Sequence, residues 1–293
     1  MAGYGEAISH GAATIVNAIA TGLGGALGVD LWTIARVRLT SKPYVIKGRI
    51  LSEPSESTSL IEKSVLNVLR YFGAETRFGA DVETDSNIPI ARGLKSSSTA
   101  ANAIVLATAA ALGRPLSDDE AINLGVDAAI AARTTVTGAF DDASASFLGG
   151  VVMTDNAERK ILQRFTVKED VEVLFFIPNQ KAYTYFSDVA RMKTIAPQIR
   201  VAFREALSGN YWVALTLNGL LYSAALGYDP RPAIDALQAG AIASGLSGKG
   251  PAITAVVPSS RVNEVRHAWA ALEGKVIQAR VNHEKARVTI QEP

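Results

Sequence analysis

The chain has 293 residues, and 29 Lys plus Arg against 28 Asp plus Glu leave a formal charge of +1, which offers no electrostatic footprint for nucleic acid or anionic lipid. The absence of cysteine excludes disulfides, thiolate nucleophiles, thiolate-held zinc and iron–sulfur clusters, and the three histidines (His10, His267, His283) have no metal-pair spacing. Hydrophobic residues at 48% and charged residues at 19% suit a packed core, in one large or two moderate domains.

In chain order, the first forty residues are rich in Gly, Ala and Thr, and Ile34, Val37 and Leu39 predict a strand over 31–39. Residues 44–50 read as its hairpin partner across a turn that holds Pro43. Leu60, Ile61, Val65, Val68, Leu69 and Phe72 recur at helical spacing behind the capping residues Ser57 and Thr58, which predicts a helix over 57–72. A strand over 78–84 leads into a loop over 85–95, then a helix over 96–112 that Gly113-Arg114-Pro115 stops. Ser117 caps a third helix over 118–133. A Gly-rich segment follows, and Gly149-Gly150 opens a strand over 151–153. The polar stretch 156–169 marks a boundary, so domains of 1–158 and 159–293 are expected. Beyond it the pattern predicts strands over 171–177, 252–257 and 275–279 and helices over 197–207, 211–226, 231–243 and 261–272. The elements alternate without the rhythm of a doubly wound sheet, so an α+β architecture in two domains is expected. The longest apolar stretch, 100–112, is too short to span a bilayer and no signal peptide is visible, so a cytoplasmic location without a membrane partner is expected.

The most informative segment runs from Pro89 through Ile90, Ala91, Arg92, Gly93, Leu94, Lys95, Ser96, Ser97, Ser98 and Thr99. Gly93 permits close backbone approach, and three serines open an Ala-rich helix whose free N–H groups and dipole favour a phosphate. Lys95 adds positive charge, and the hydroxyl of Ser97 is a candidate ligand for Mg²⁺. By itself this stretch also reads as a Ser-capped helix after a turn. Neither a Walker A loop nor a dinucleotide-binding glycine pattern is present: the lysine of Gly248-Lys249 is followed by Gly250, and the third glycine of the pattern at Gly22 falls on Leu27. A nucleotide, if bound, is bound by another fold.

Pro-x3-Gly-Leu-x-Ser-Ser-Ser resembles the ATP-binding motif of the GHMP kinases (galactokinase, homoserine kinase, mevalonate kinase, phosphomevalonate kinase). A second segment, Gly245-Leu246-Ser247-Gly248-Lys249-Gly250-Pro251-Ala252, resembles the third motif of that superfamily, which packs beside the phosphate loop. The finer pattern is similar to the archaeal type of shikimate kinase. That likeness is carried by 17–22 with 28–31, by 135–143, by Arg191-Met192-Lys193, and by Lys rather than Gly after Leu94. It implies a GHMP kinase fold, with an N-terminal ribosomal-protein-S5-like domain and a C-terminal ferredoxin-like α/β domain. It implies ATP and Mg²⁺ as cofactors, and transfer of the γ-phosphate to the 3-hydroxyl of shikimate within aromatic amino-acid synthesis.

By the same resemblance Asp142 is the candidate base, because a catalytic aspartate in mevalonate-kinase-like members precedes a Gly-Gly pair as Asp142 precedes Gly149-Gly150. Its neighbour Asp141 is expected to point elsewhere. Where those members carry a magnesium-binding acid this chain has Ala131, and Asp127, one turn earlier, is a substitute. For shikimate, Arg191 is the carboxylate clamp because a guanidinium fork suits that group, with Lys193 next, while Asn17, Thr21 and Asp30 are hydroxyl-binding candidates. Arg191 and Lys193 also read as solvated helix-end charges, and Asn17, Thr21 and Asp30 as turn or strand-end caps. A monomer or homodimer with small-molecule partners is expected. Homoserine kinase remains an alternative, as does a non-catalytic nucleotide-binding protein.

Overall fold

A computed structural model describes residues 3–90, 93–135, 138–179 and 189–292. The Gly- and Ala-rich start is two long antiparallel strands, β1 (Tyr4–Val16) and β2 (Leu23–Thr40), joined by a 3-10 turn at Ala18–Ala20 that the side chain of Asn17 caps. After β3 (Ile46–Ile50) come α1 (Ser59–Tyr71), β4 (Gly79–Ser86), α2 (Ser96–Ala111), α3 (Asp118–Ala131) and α4 (Phe140–Leu148). The chain continues through β5 (Val151–Asp155), β6 (Lys160–Phe165), β7 (Val171–Pro178), α5 (Val189–Lys193), α6 (Ala196–Leu207), α7 (Tyr211–Leu226) and α8 (Arg231–Gln238). It ends with β8 (Ala243–Leu246), β9 (Ile253–Pro258), α9 (Val262–Trp269), β10 (Gly274–Arg280) and β11 (Arg287–Glu292). These strands form two sheets: a seven-stranded one in the order β11-β1-β2-β4-β3, with β5 and β6 added beside β2, and a four-stranded one in the order β10-β7-β9-β8.

The mixed, two-sheet α+β architecture agrees with the sequence, and several local readings are corrected. Residues 44–50 do not form a hairpin with β2. β4 takes the antiparallel place beside β2 (Val37 opposite Val82), and β3 lies outside it, parallel (Ile46 opposite Ala80). Period-two alternation marks a strand but says nothing of its partner. The Gly-rich segment holds α4, a nine-residue helix between Gly138 and Gly149, both at positive φ. The helix expected to reach 243 stops at Gln238, and β8 follows. Both β6 and β11, placed by a 158/159 division in the C-terminal half, are hydrogen-bonded into the first sheet.

α2 is the spine of the first half. It packs on β1 and β2 with one side and on α1, α3 and α4 with the others, so its apolar residues run all round it and thirteen of its sixteen residues are buried. Alanines at 101, 103, 107 and 109–111 let backbones approach, and Ile104, Val105 and Leu106 fill the space. On the second sheet Phe175, Leu174, Tyr222 and Trp269 are fully buried.

Candidate active site

The loop that leads into α2 meets the turn after β8. Ile88 and Leu94 are buried anchors on either side of the loop, and Ala91 and Arg92 lie outside the described residues. Gly93 has φ +84, and a Cβ on it would sit 2.5 Å from the Ser247 carbonyl oxygen, so only glycine fits. The Ser247 hydroxyl donates to the Gly93 carbonyl at 2.9 Å, locking the two glycine loops together. Lys95 ends the loop in the left-handed region (φ 63), and α2 starts at Ser96, so its first N–H groups face the cleft that the loops enclose. Ser98 and Thr99 are buried, and the Thr99 hydroxyl donates to the carbonyls of His10 and Lys95.

Across the cleft, the first turn of α4 presents Asp141 and Asp142, where the helix dipole favours carboxylates. Lys95 Nζ lies 3.0 Å from Asp142 Oδ2, with side chains only 11% and 9% exposed. The other oxygen, Asp142 Oδ1, is buried without a hydrogen-bond partner. Asp141 does not point away. It lines the same cleft, but Asn156 Nδ2 donates to its Oδ1 at 2.8 Å, and Asn156 is itself held by the Thr154 hydroxyl at 2.7 Å. Full burial, and then the charge of Asp142, push the Asp141 carboxyl well above the usual carboxylate range.

The far wall is the Gly248–Gly250 turn. Asn17 Nδ2 donates to the Gly248 carbonyl at 2.9 Å, and a Cβ on Gly248 would meet Lys95 Nζ at 2.8 Å. Lys249 reaches into the cleft, where burial, with help from Lys95, lowers its pKa to about 7. The cleft, open to solvent on one side, spans about 850 Å³. Ser96, Ser97 and Thr134 form a wall shared with a second, more apolar cavity of about 1100 Å³ lined by Ile50, Leu60, Ile61, Ile90 and Ile104, with Glu56 and Arg133 at its polar points. The arrangement is a cation-bearing helix N-terminus, a buried carboxylate with a free oxygen, and an adjoining apolar slot, which is what handing a phosphoryl group from a nucleotide to an alcohol requires.

Residues 59–150 match the family model of the GHMP kinases N terminal domain. The shikimate kinase of Methanosarcina mazei is 47% identical over 284 residues, covering 96% of this chain and 96% of that protein. The shikimate kinase of Pyrococcus furiosus is 44% identical over 268 residues, 90% of this chain and 95% of that protein. The chain belongs to the archaeal shikimate kinases of the GHMP superfamily. Solved structures show how far this fold reaches. Methanococcus jannaschii mevalonate kinase superposes with a TM-score of 0.78 at 16% identity over 94% of this chain and 98% of its own. Cytophaga hutchinsonii homoserine kinase superposes with a TM-score of 0.76 at 16% identity over 97% of each chain.

Within this shikimate kinase fold, the residues expected at the site divide into two groups. Gly93 to Ser98, Asn17 and Asp142 line the cleft, Ile90 lines the apolar slot, and Pro89 lines neither, facing a separate cavity with Ile177 and Lys275. Asn17 is heavily used by the fold: its N–H donates to Asn218 Oδ1, its Oδ1 accepts from Ile19 N–H, and its Nδ2 holds Gly248. The Thr21 hydroxyl closes a turn with both backbone groups of Leu23. Asp30 is exposed, outside the cleft, and accepts from the Arg280 N–H at 2.7 Å. Asp127 is exposed as well and pairs with Arg159 at 2.6 Å, so it does not replace the acid missing at Ala131. Arg191 and Lys193 are exposed on α5, which packs against the Ala18–Ala20 turn at the cleft wall. Lys249, Thr134 and the polar points of the slot were not singled out by spacing. The resemblance of 245–252 to the third motif of the superfamily places this turn beside the phosphate loop, as the Ser247–Gly93 contact shows, but it gives Lys249 itself no role.

Proposed function

We propose that the cleft transfers the γ-phosphate of ATP to the 3-hydroxyl of shikimate, giving 3-phosphoshikimate and ADP. The observation that carries this reading is the buried Lys95–Asp142 pair between two helix N-termini, with Asp142 Oδ1 left without a partner. The triphosphate lies along the start of α2, held by the N–H groups of Ser96 to Ser98 and by Lys95, and the adenine enters the apolar slot beyond Ser96 and Ser97. Asp142 Oδ1 accepts the hydrogen bond of the attacking hydroxyl and aligns it with the γ-phosphorus. As the new O–P bond forms, the bond to the β–γ bridging oxygen breaks, the hydroxyl proton passes to Asp142, and ADP departs. Lys95 fixes the aspartate from its other oxygen and neutralises charge gathering on the phosphoryl oxygens.

Among the described residues no cluster of three acidic or histidine side chains is available for a cation. The residue that would hold Mg²⁺ is Ser97, whose hydroxyl lines the cleft beside Lys95 and Asp142 and would supply one hard oxygen ligand to an ion that keeps several waters. When bound it shields phosphate charge. Arg191, with Lys193 beside it, is assigned to the shikimate carboxylate because α5 packs on the turn that walls the cleft.

The test is ADP release with ATP and Mg²⁺ and with shikimate, homoserine and mevalonate side by side. Turnover with shikimate alone is expected. Turnover with homoserine instead discards the assignment of Arg191 and Lys193 while leaving the phosphate loop intact.

A further inference from the structure

A triphosphate needs more positive charge than Lys95 can give, because its ammonium is already matched by Asp142 at 3.0 Å. Among the described residues that line the cleft, the one other cation is Lys249. Unlike Lys95, it makes no ion pair among the described residues. Its backbone is held from three sides. Asn17 grips the Gly248 carbonyl, the Ser247 hydroxyl grips Gly93, and the Gly250 N–H closes the turn onto the Ser247 carbonyl at 2.9 Å. The turn rests on the tip of Lys95, with the Gly248 Cα so close that a Cβ would touch Nζ. A fold that costs this much backbone precision to place one lysine beside the Lys95–Asp142 pair has positioned it rather than left it to solvent.

We propose that Lys249 is the second phosphate-binding cation of this cleft and contacts the γ-phosphoryl group as it passes to the acceptor, a role that rests on the kinase reading above. The charged groups that face it are Lys95 from the phosphate loop and Asp142 and Asp141 from α4, with the Tyr228 ring packed beside Gly250. Burial and Lys95 oppose its charge, holding its pKa near 7. The triphosphate supplies the missing counter-charge, so nucleotide binding draws a proton onto Lys249.

The test compares wild type with Lys249→Met and Lys249→Arg. For Lys249→Met the expected result is a fall in kcat of about 100-fold or more with the KM for shikimate unchanged, together with loss of preference for ATP analogue over ADP in binding. Lys249→Arg, which keeps the charge, is expected to recover part of the rate. Calorimetry at pH 8 in two buffers of different ionisation enthalpy is expected to show close to one proton taken up per non-hydrolysable ATP analogue by wild type and none by Lys249→Met. Wild-type kcat, wild-type ATP preference and an unchanged proton count in Lys249→Met would overturn the assignment. If Lys249→Met fails to fold, the same measurements on Lys249→Arg decide: unchanged ATP affinity but no proton uptake above pH 8 supports the role, and an uptake equal to wild type refutes it. Should wild type bind the analogue with proton uptake yet fail to phosphorylate shikimate, the substrate reading falls and the role of Lys249 stands.

Discussion

Alanine at position 93 would press directly on the joint between the two glycine loops. Its Cβ would lie 2.5 Å from the Ser247 carbonyl oxygen and 3.2 Å from that of Gly250, and both contacts are backbone atoms that cannot swing aside. A left-handed conformation at a residue with a Cβ costs about 1–2 kcal/mol. Overpacking against fixed neighbours adds about 1–3 kcal/mol, for a total of about 2–5 kcal/mol. For a chain of this size each kcal/mol lowers Tm by about 1.6 °C, so Gly93→Ala should melt at least about 3 °C below wild type. Relief of the clash moves the loop carrying Lys95 away from the turn carrying Lys249, so the KM for ATP should rise as well. Gly73→Ala is the control: its φ is +62, but nothing lies within 4 Å of the added methyl, so it carries the conformational cost alone. Differential scanning fluorimetry and initial-rate kinetics read both effects. Equal melting temperatures and equal ATP KM values for the two variants would refute the interlock.

Asp142→Asn should lower kcat by about 10²–10⁴-fold while retaining stabilisation by ATP in a thermal shift assay, and full turnover would remove Asp142 from both a base and an electrostatic role. Tyr222→Phe deletes a buried hydroxyl that accepts from the Ala20 N–H at 3.1 Å and donates to the Asn17 carbonyl at 3.2 Å; a loss of about 1–3 kcal/mol in urea unfolding is expected. Asp141 is an acid whose folded pKa is raised, so the folded state binds its proton more tightly than the unfolded chain does. Stability from this group is therefore present at low pH and drains away as pH rises above the ordinary aspartate range near 4. Asp141→Asn, which keeps an acceptor for Asn156, should raise Tm at pH 8 and leave it unchanged at pH 4. An equal shift at both values would show that burial is not perturbing the carboxyl.

Elements whose evidence is local were legible in the sequence. Ser117 and Glu120 form a reciprocal capping box at the start of α3, and the apolar spacing of α1 survives as its buried face. Elements defined by a distant partner were not. β11 has a short polar–apolar alternation at Val288 and Ile290 but every residue of it is exposed, so nothing marks β1 as its partner, and β3 carries a strand signal with no mark of the parallel neighbour it takes. α4 hides because it is short and its centre is acidic and small (Asp141 to Ser146), and all nine residues are buried only by what folds over them. The cleft shows the same split. Gly93 to Ser98 and Asp142 stand in motifs, whereas Asp30 and Asp127, acids of suitable type, are drawn outward by Arg280 and Arg159. The setting of Lys249 comes from the grip of Asn17 on Gly248, 231 positions apart along the chain, a contact that no spacing rule reaches.

The pairing of β11 with β1 has a consequence for how the chain matures on the ribosome. Tyr4 lies opposite Glu292, so β1 receives its outer neighbour only when β11, far along the chain, has been made. Until then β1 presents an open row of backbone donors and acceptors beside a nucleotide half that is otherwise complete, the kind of edge that invites pairing with another chain. Closure of the first sheet thus waits for β11, and the nascent protein is most vulnerable to misassembly in the interval before it is made.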